Sequence, residues 1–201
     1  MSSSVVRAGD TRQVLLVAAR EAFEELGYRA TTVAEIVSRA QTARGTFYLY
    51  FRNKDEVFAE VLAENCEDLL QRTSGRYAFA TDRRAAVEQA TADYMQAFAA
   101  RRGIWRAMLE AIGGPAGVEA QWLELLARFV DRMQVNLRRS QARGQIREDV
   151  DLELTAEALT AMIEWLACVE FVMRDQPAQG ERYERMIKAI GALWILGSAP
   201  L

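Results

Sequence analysis

The stretch from Thr31 to Phe58, TTVAEIVSRAQTARGTFYLYFRNKDEVF, carries three helix starts in close succession. Thr32 with Glu35 three residues on spells a capping box: the hydroxyl accepts from the third helical amide, and the carboxylate reaches back to the cap amide. Behind it Val33, Ile36, Val37 and Ala40 recur at helical spacing. This spacing predicts a helix of about nine residues, a break near Gln41 and Thr42, and a second short helix from about Ala43 to Leu49. Phe47 and Phe51, four apart, face inward, which leaves Arg44, Thr46 and Tyr48 to face out. Asn53 opens a third helix, with Glu56 completing another box. Two short helices across a break, running into a long connecting helix, make a helix-turn-helix arrangement.

The outward face has the chemistry of a nucleic-acid surface. Between Glu35 and Asp55 the chain has no acidic residue, while Arg39, Arg44, Arg52 and Lys54 are basic. A phosphate backbone favours such a local field through counterion release. The helix N-termini at Val33 and Lys54 present backbone amides suited to phosphate. Tyr48 offers a hydroxyl for phosphate and a ring for a thymine methyl. Gly45 lets the helix backbone approach a groove closely. A solvated basic face is the commoner reason for such charges; the paired short helices, the aromatic cluster and the repeated caps set this one apart.

The segment ARGTFYLYFRNKDEVF resembles the signature of the TetR family of bacterial transcriptional regulators. Arg44, Gly45, Thr46, Phe47, Tyr48, Tyr50, Phe51, Lys54 and Asp55 all match its pattern. The resemblance implies that Thr32, Tyr48, Tyr50 and Lys54 hold phosphates and that Arg44 and Thr46 sit at or near base edges. The sequence also departs from the pattern. Gln41 stands where the family has a turn glycine, Thr42 where it has a buried valine, and Ala43 where it has a capping serine. Gln41 is then expected to be strained if the turn needs a positive φ, and Thr42 to cap the recognition helix one residue early. Ala34 replaces an arginine that reads bases in some relatives.

The rest of the chain reads as helix throughout. Residues 1–9 lack periodicity. Asp10 and Gln13 form a box for a first helix with the stripe Val14, Leu15, Ala18, Ala19, Ala22, Phe23 and Leu26, ended by Gly27. The helix from Asn53 runs to about Thr73, and Ser74 and Gly75 loosen the chain. Asp82 opens the next helix, closed by Gly103. A short helix spans Ile104 to Ile112, the breaker GGPAG occupies 113–117, and a long helix runs from Val118 to about Arg143. The eighth begins at Asp151 or Thr155 and continues to Met173; Pro177 and Gly180 separate it from the ninth. No strand alternation and no internal repeat is present, so the expectation is an all-α, nine-helix TetR-like architecture. A DNA-binding head over residues 1–52 would precede a ligand-binding and dimerisation body over 53–201.

Composition narrows the function. The chain has 201 residues, 51% of them hydrophobic, and a net charge of −3. That charge divides into +2 for residues 1–55 and −5 for the remainder, as expected for a basic head on an acidic control domain. Two cysteines, Cys66 and Cys168, are too few for a disulfide framework. The N-terminus shows no apolar leader and no apolar run is long enough to span a membrane, so a cytoplasmic protein is expected. With no histidine and no phosphate loop, paired-cysteine or nucleophile motif, enzyme chemistry, cofactors and metals are not expected. A plain helical adaptor would need no Lys54 at a helix start beside Tyr48 and Arg44.

From Ala158 to Met173 only Thr160, Glu164 and Glu170 interrupt an apolar sequence, and a helix apolar nearly all round must be covered on both sides. The ninth helix adds Tyr183, Met186, Ile187, Ile190, Leu193 and Trp194 at heptad-like spacing. These features predict a homodimer through a four-helix interface, with Phe171, Tyr183, Met186, Ile187, Ile190 and Trp194 in the contact. Such a pair would read a near-palindromic operator in double-stranded DNA. The family's ligand cavity would be lined by Tyr94, Phe98, Trp105, Met108, Trp122, Phe129, Met133, Met162 and Trp165, walls suited to a small apolar or aromatic effector. Each of these residues serves equally well as ordinary core. Glu164, Thr160, Gln121 and Cys168 are the polar groups able to orient a ligand, and Glu164 also admits a cationic one or a place at the dimer surface. The expected function is a repressor released by its ligand; an activator or a Cys168 thiol sensor are the alternatives on the same fold.

Overall fold

Helix starts in the middle of the chain fall where side chains can cap them. The computed structural model describes residues 8–73, 82–114, 117–174 and 176–196. Residues 1–7, the Ser74–Gly75 break and Pro115 lie outside the described residues. Among the described residues there are nine α-helices and no strand: α1 Ala8–Ala30, α2 Val33–Arg39, α3 Arg44–Tyr50, α4 Lys54–Arg72, α5 Arg83–Ala99, α6 Arg102–Ala111, α7 Val118–Ala142, α8 Leu152–Ala167 and α9 Gly180–Leu196. A π-helical segment, Cys168–Met173, extends α8. Asp82 and Asp151 cap α5 and α8, each carboxylate accepting two backbone N–H groups.

The helices divide into two compact units. The first comprises Met1–Cys66 with Arg101–Gln121, the second Glu67–Ala100 with Trp122–Leu201. In the first, Leu15, Phe23, Ile36, Phe47, Phe51 and Phe58 are fully buried. Phe58 meets Phe23 edge-on at 4.7 Å between ring centroids and tilts against Tyr28 at 5.0 Å. These contacts fix the start of α4 onto α1. The Tyr28 hydroxyl donates to Asp55, which strengthens that attachment.

Two glycines shape this unit. Gly27 (φ 79°) breaks α1 as the sequence indicates, but the chain resumes one more turn to Ala30. The buried Thr31 hydroxyl donates to the Gly27 carbonyl at 2.6 Å. Gly103 does not close α5: it lies in the first turn of α6, where a methyl group would stand 2.3 Å from the Glu24 carbonyl oxygen of α1. Only glycine allows so close an approach. Around that contact Arg101 pairs with Glu24 at 3.1 Å, Arg106 donates to the Glu25 carbonyl at 2.9 Å, and Glu110 accepts from the Arg29 amide at 3.0 Å. Asp10 sits inside the first turn of α1 rather than at its cap, because the helix already begins at Ala8.

In the second unit α5 packs on α8 and α9. Tyr183 of α9 donates its hydroxyl to the Ala92 carbonyl of α5 at 3.2 Å. A smaller cluster of Leu137, Ile146 and Ala156 joins α7 to α8, with Met133 against it. The Glu170 carboxylate, on the π segment, is buried and fully used: Ala178 N–H donates at 2.6 Å, and Arg174 and Arg182 lie at 3.2 and 3.3 Å. It fastens the end of α8 to the approach of α9.

The predicted interface residues divide. Phe171, Ile187 and Ile190 are buried within their own chain, and Tyr183, Met186 and Trp194 are half-buried. The apolar side chains left outside are others: Leu154 at 62% exposure, Trp165 at 60% and Leu193 at 58%. Heptad-like spacing located the stripes, but their inner edges pack on α5 and their outer edges remain uncovered.

Candidate functional site

The turn between α2 and α3 shows the strain that glutamine brings to it. Gln41 takes φ 51°, the left-handed region that costs any residue with a Cβ. The cap of α3 is Ala43, which has no side-chain hydrogen bond to give. Thr42 does not cap the helix early: its hydroxyl is buried without a partner. The turn is held by backbone alone, Thr42 N–H donating to Val37 O at 3.0 Å and Thr46 N–H to Ala43 O at 2.9 Å.

The boxes form by halves. Glu35 N–H donates to the Thr32 hydroxyl at 3.2 Å, while the Glu35 carboxylate accepts from Arg39 instead. Glu56 N–H donates to Asn53 Oδ1 at 2.9 Å, while its carboxylate takes the Arg52 amide. That contact holds the Glu56 carboxyl below its usual range.

Of the basic residues in this stretch, Arg44 and Arg52 stay turned to solvent. Arg39 is held between Glu25 and Glu35, which raises its pKa through the Glu35 contact first. Lys54 does not project freely. Its Nζ donates to the Tyr28 and Thr31 carbonyls at 2.8 and 3.1 Å and lies 4.3 Å from the Tyr28 ring centroid. It acts as a tie between α4 and the end of α1.

Arg44, Tyr48 and Leu49 form the exposed edge of α3. Arg44 lies one turn from Tyr48, its guanidinium 3.4 Å from the phenol oxygen. Gly45 opens onto space, with nothing within 4 Å of a would-be Cβ. Thr32 is exposed, and Thr46 and Tyr50 are half-buried. The sequence reading missed Leu49, 79% exposed on the same helix; an apolar side chain beside Arg44 and Tyr48, off the Phe47–Phe51 stripe, was the available signal.

The proposed effector residues are dispersed. Trp105 and Met108 on α6 are fully buried; Tyr94, Phe98 and Phe129 are buried in the second unit; Trp122, Met133 and Met162 are half-buried; Trp165 faces out. The structure brings together Tyr94, Phe98 and Phe129, with Phe129 edge-on to Tyr94 at 5.6 Å and Phe98 at 6.1 Å. The Tyr94 hydroxyl donates to Glu164 Oε1. Glu164 is therefore interior and not at a surface. Burial pushes its carboxyl up to about 7, partly offset by the Tyr94 hydrogen bond. Cys168, one turn on, is also buried, and burial with the nearby Glu164 pushes its thiol up to about 12. Burial of this kind disfavours the thiolate form.

An exposed, positively charged short helix after a sharp turn, on a helical unit separate from a larger helical body, defines a helix-turn-helix DNA-binding regulator. Residues 15–61 match the family model described as bacterial regulatory proteins, tetR family, and residues 87–197 match the C-terminal domain of the transcriptional regulator EthR. The chain belongs to the TetR family of bacterial transcriptional regulators. It is 26% identical over 155 residues to the transcriptional repressor AcnR of Corynebacterium jeikeium, covering 75% of this chain and 76% of that one. It is 33% identical over 63 residues to the regulator YhgD of Bacillus subtilis, a match spanning 31% of this chain and 33% of YhgD. A solved TetR-family structure from Mesorhizobium loti superposes with a TM-score of 0.79 at 19% identity, covering 96% of this chain and 99% of that one. The protein is thus a transcriptional regulator and not an enzyme. Among the described residues no helix is long and apolar enough to cross a membrane.

Proposed function

We propose that this protein is a homodimeric, cytoplasmic transcriptional repressor that binds a near-palindromic operator and is released by a small molecule held in its second unit. The observation that carries the reading is the exposed Arg44–Tyr48 edge of α3 beside the open space at Gly45. Arg44 is suited to a guanine edge, Tyr48 and Thr32 to phosphates, and Leu49 to a thymine methyl. Residues 1–52 supply the DNA contacts, and residues 53–201 supply effector binding and dimerisation. Lys54 supports DNA binding by fixing α4 to α1.

Helix α4 transmits the signal. Its N-terminal half is packed in the first unit and its C-terminal end in the second. There Arg132 of α7 donates to the Leu70 carbonyl at 2.9 Å and the Thr73 hydroxyl at 2.8 Å, and Arg128 pairs with Glu67 at 2.8 Å. An effector that shifts α7 would shift the end of α4, change the spacing of the two heads and lower operator affinity. A coupling of about 1–3 kcal/mol is typical of such devices.

The test is fluorescence anisotropy of the purified protein on its own upstream DNA, and on operators selected from random sequence, at two salt concentrations. Arg44→Ala is expected to cost about 1–3 kcal/mol and relax preference at one base. Tyr48→Ala is expected to weaken binding across sequences. Binding that neither variant alters, or no operator found by selection, would overturn the reading.

A further inference from the structure

The interior of the second unit holds two oxygens, a carboxylate acceptor and a hydroxyl that can both donate and accept, with no hydrogen bond made to either. Glu164 and Thr160 stand one turn apart on α8, 5% and 6% exposed. Glu164 Oε2 and Thr160 Oγ1 are buried with no hydrogen-bond partner. Tyr94 of α5 has already given its single hydroxyl proton to Glu164 Oε1. A buried carboxylate with only one of its oxygens answered is costly, and the cost falls when a cation completes it. The charged and titratable groups around it do not supply one. Cys168 on the same helix keeps its proton. Arg132 of α7 lies over the Phe129 ring at 4.8 Å and bonds to Leu70 and Thr73. The Tyr94 ring that reaches Glu164 is itself packed by Phe98 and Phe129, at 6.1 and 5.6 Å between centroids.

We infer that Glu164 and Thr160 form the anchor of the effector site and that the effector is an amphipathic amine. Its ammonium group donates to Glu164 Oε2 and Thr160 Oγ1, and its apolar body lies against Phe98 and Phe129. An ammonium has three donors and no acceptor, which suits two unpaired oxygens one turn apart. Neutral alcohols offer one donor, and carboxylates would meet Glu164 with like charge. This inference rests on the ligand-released reading above and adds the chemical class of ligand.

The test titrates the full-length protein with phenylbutylamine and, matched in size, phenylbutanol and phenylbutyrate, by calorimetry. At about pH 8 the amine is expected to bind about 10- to 100-fold more tightly than the alcohol, the range a charge-assisted hydrogen bond supplies. Between about pH 8 and pH 6 its affinity should fall roughly tenfold as Glu164 takes up a proton. Glu164→Gln should erase the preference of amine over alcohol, and Thr160→Val should reduce it. Tyr94→Phe, which removes a contact favouring the ionised carboxylate, should move the pH midpoint of amine binding upward. The shift with Tyr94→Phe keeps the question decidable if Glu164→Gln folds poorly. The inference is overturned if the alcohol or the carboxylate binds as tightly as the amine, if Glu164→Gln leaves the preference intact, or if the amine does not bind. Anisotropy on operator DNA in the same preparation separates the two readings. Operator binding with no response to the amine sinks the inference alone, whereas absence of operator binding sinks the regulator reading and leaves the amine titration to be judged by itself.

Discussion

At residue 41 the chain holds a glutamine in a conformation suited to glycine, and the next two residues add to the cost. Gln41 sits at φ 51°, Thr42 buries an unpartnered hydroxyl, and Ala43 occupies a cap without a capping group. Each is correctable. Gln41→Gly should raise stability by about 1 kcal/mol by removing the left-handed penalty. Ala43→Ser should add about 1 kcal/mol through a side-chain cap. Chemical denaturation of the full-length protein measures both. Unchanged midpoints would show that the turn relaxes in solution. Glu164 gives a second residue-scale expectation. Its carboxyl is raised from 4.5 to about 7 in the folded state, so the folded protein binds the proton more tightly than the unfolded chain. Stability is then greatest below about pH 4.5 as far as this group is concerned, and on the order of 3 kcal/mol is lost as pH rises to about 7. Cys168 titrates too high to share that window. A melting temperature that declines between about pH 5 and pH 8 in the wild type and stays flat in Glu164→Gln would bear this out; parallel profiles would refute it.

At the scale of the element, two glycines near helix starts predict opposite outcomes for the same substitution. Gly103 in α6 presses on the Glu24 carbonyl of α1, and Gly45 in α3 faces open space. Gly103→Ala should therefore destabilise the protein by about 1–3 kcal/mol through overpacking. Gly45→Ala should leave the fold as stable or up to about 1 kcal/mol more so, while weakening operator binding. Urea midpoints read beside anisotropy distinguish the two. The pair also shows what sequence reading can reach. Helix α3 was legible because its signals are local: the Phe47–Phe51 stripe, the basic outward positions and Asn53 at the next start. The α1–α6 contact was not, because a glycine that ends a helix and one that admits a neighbouring backbone look alike in one dimension. Lys54 has a contact that was hidden for a related reason. A lysine at a helix start beside aromatic residues suits phosphate, and only the fold shows the Tyr28 and Thr31 carbonyls within reach of its ammonium.

At the scale of the whole molecule, the uncovered faces of α8 and α9 are where the proposed homodimer is to be tested. Leu154, Ala158, Ala161 and Trp165 are exposed at alternating spacings of four and three along α8, and Ala189 and Leu193 are exposed four apart on α9. This is the repeat of a helix face that packs against other helices. Small residues between large ones let two helices approach closely while Trp165 and the leucines fill the edges. A two-fold axis would place this face against itself, as an isologous contact requires, and two α3 helices would then meet successive major grooves. Trp165→Glu with Leu193→Glu should convert a dimer into a monomer by sedimentation equilibrium without lowering helicity, since neither side chain supports its own core. The same variant should lose most operator affinity, because one head alone makes half the contacts. A monomeric wild type would overturn the dimer, and a double variant that remains dimeric would place the interface elsewhere. In that event exposed Trp165 would need another explanation, whereas Phe171, Ile187 and Ile190 would not: their burial inside one chain accounts for them with or without a partner.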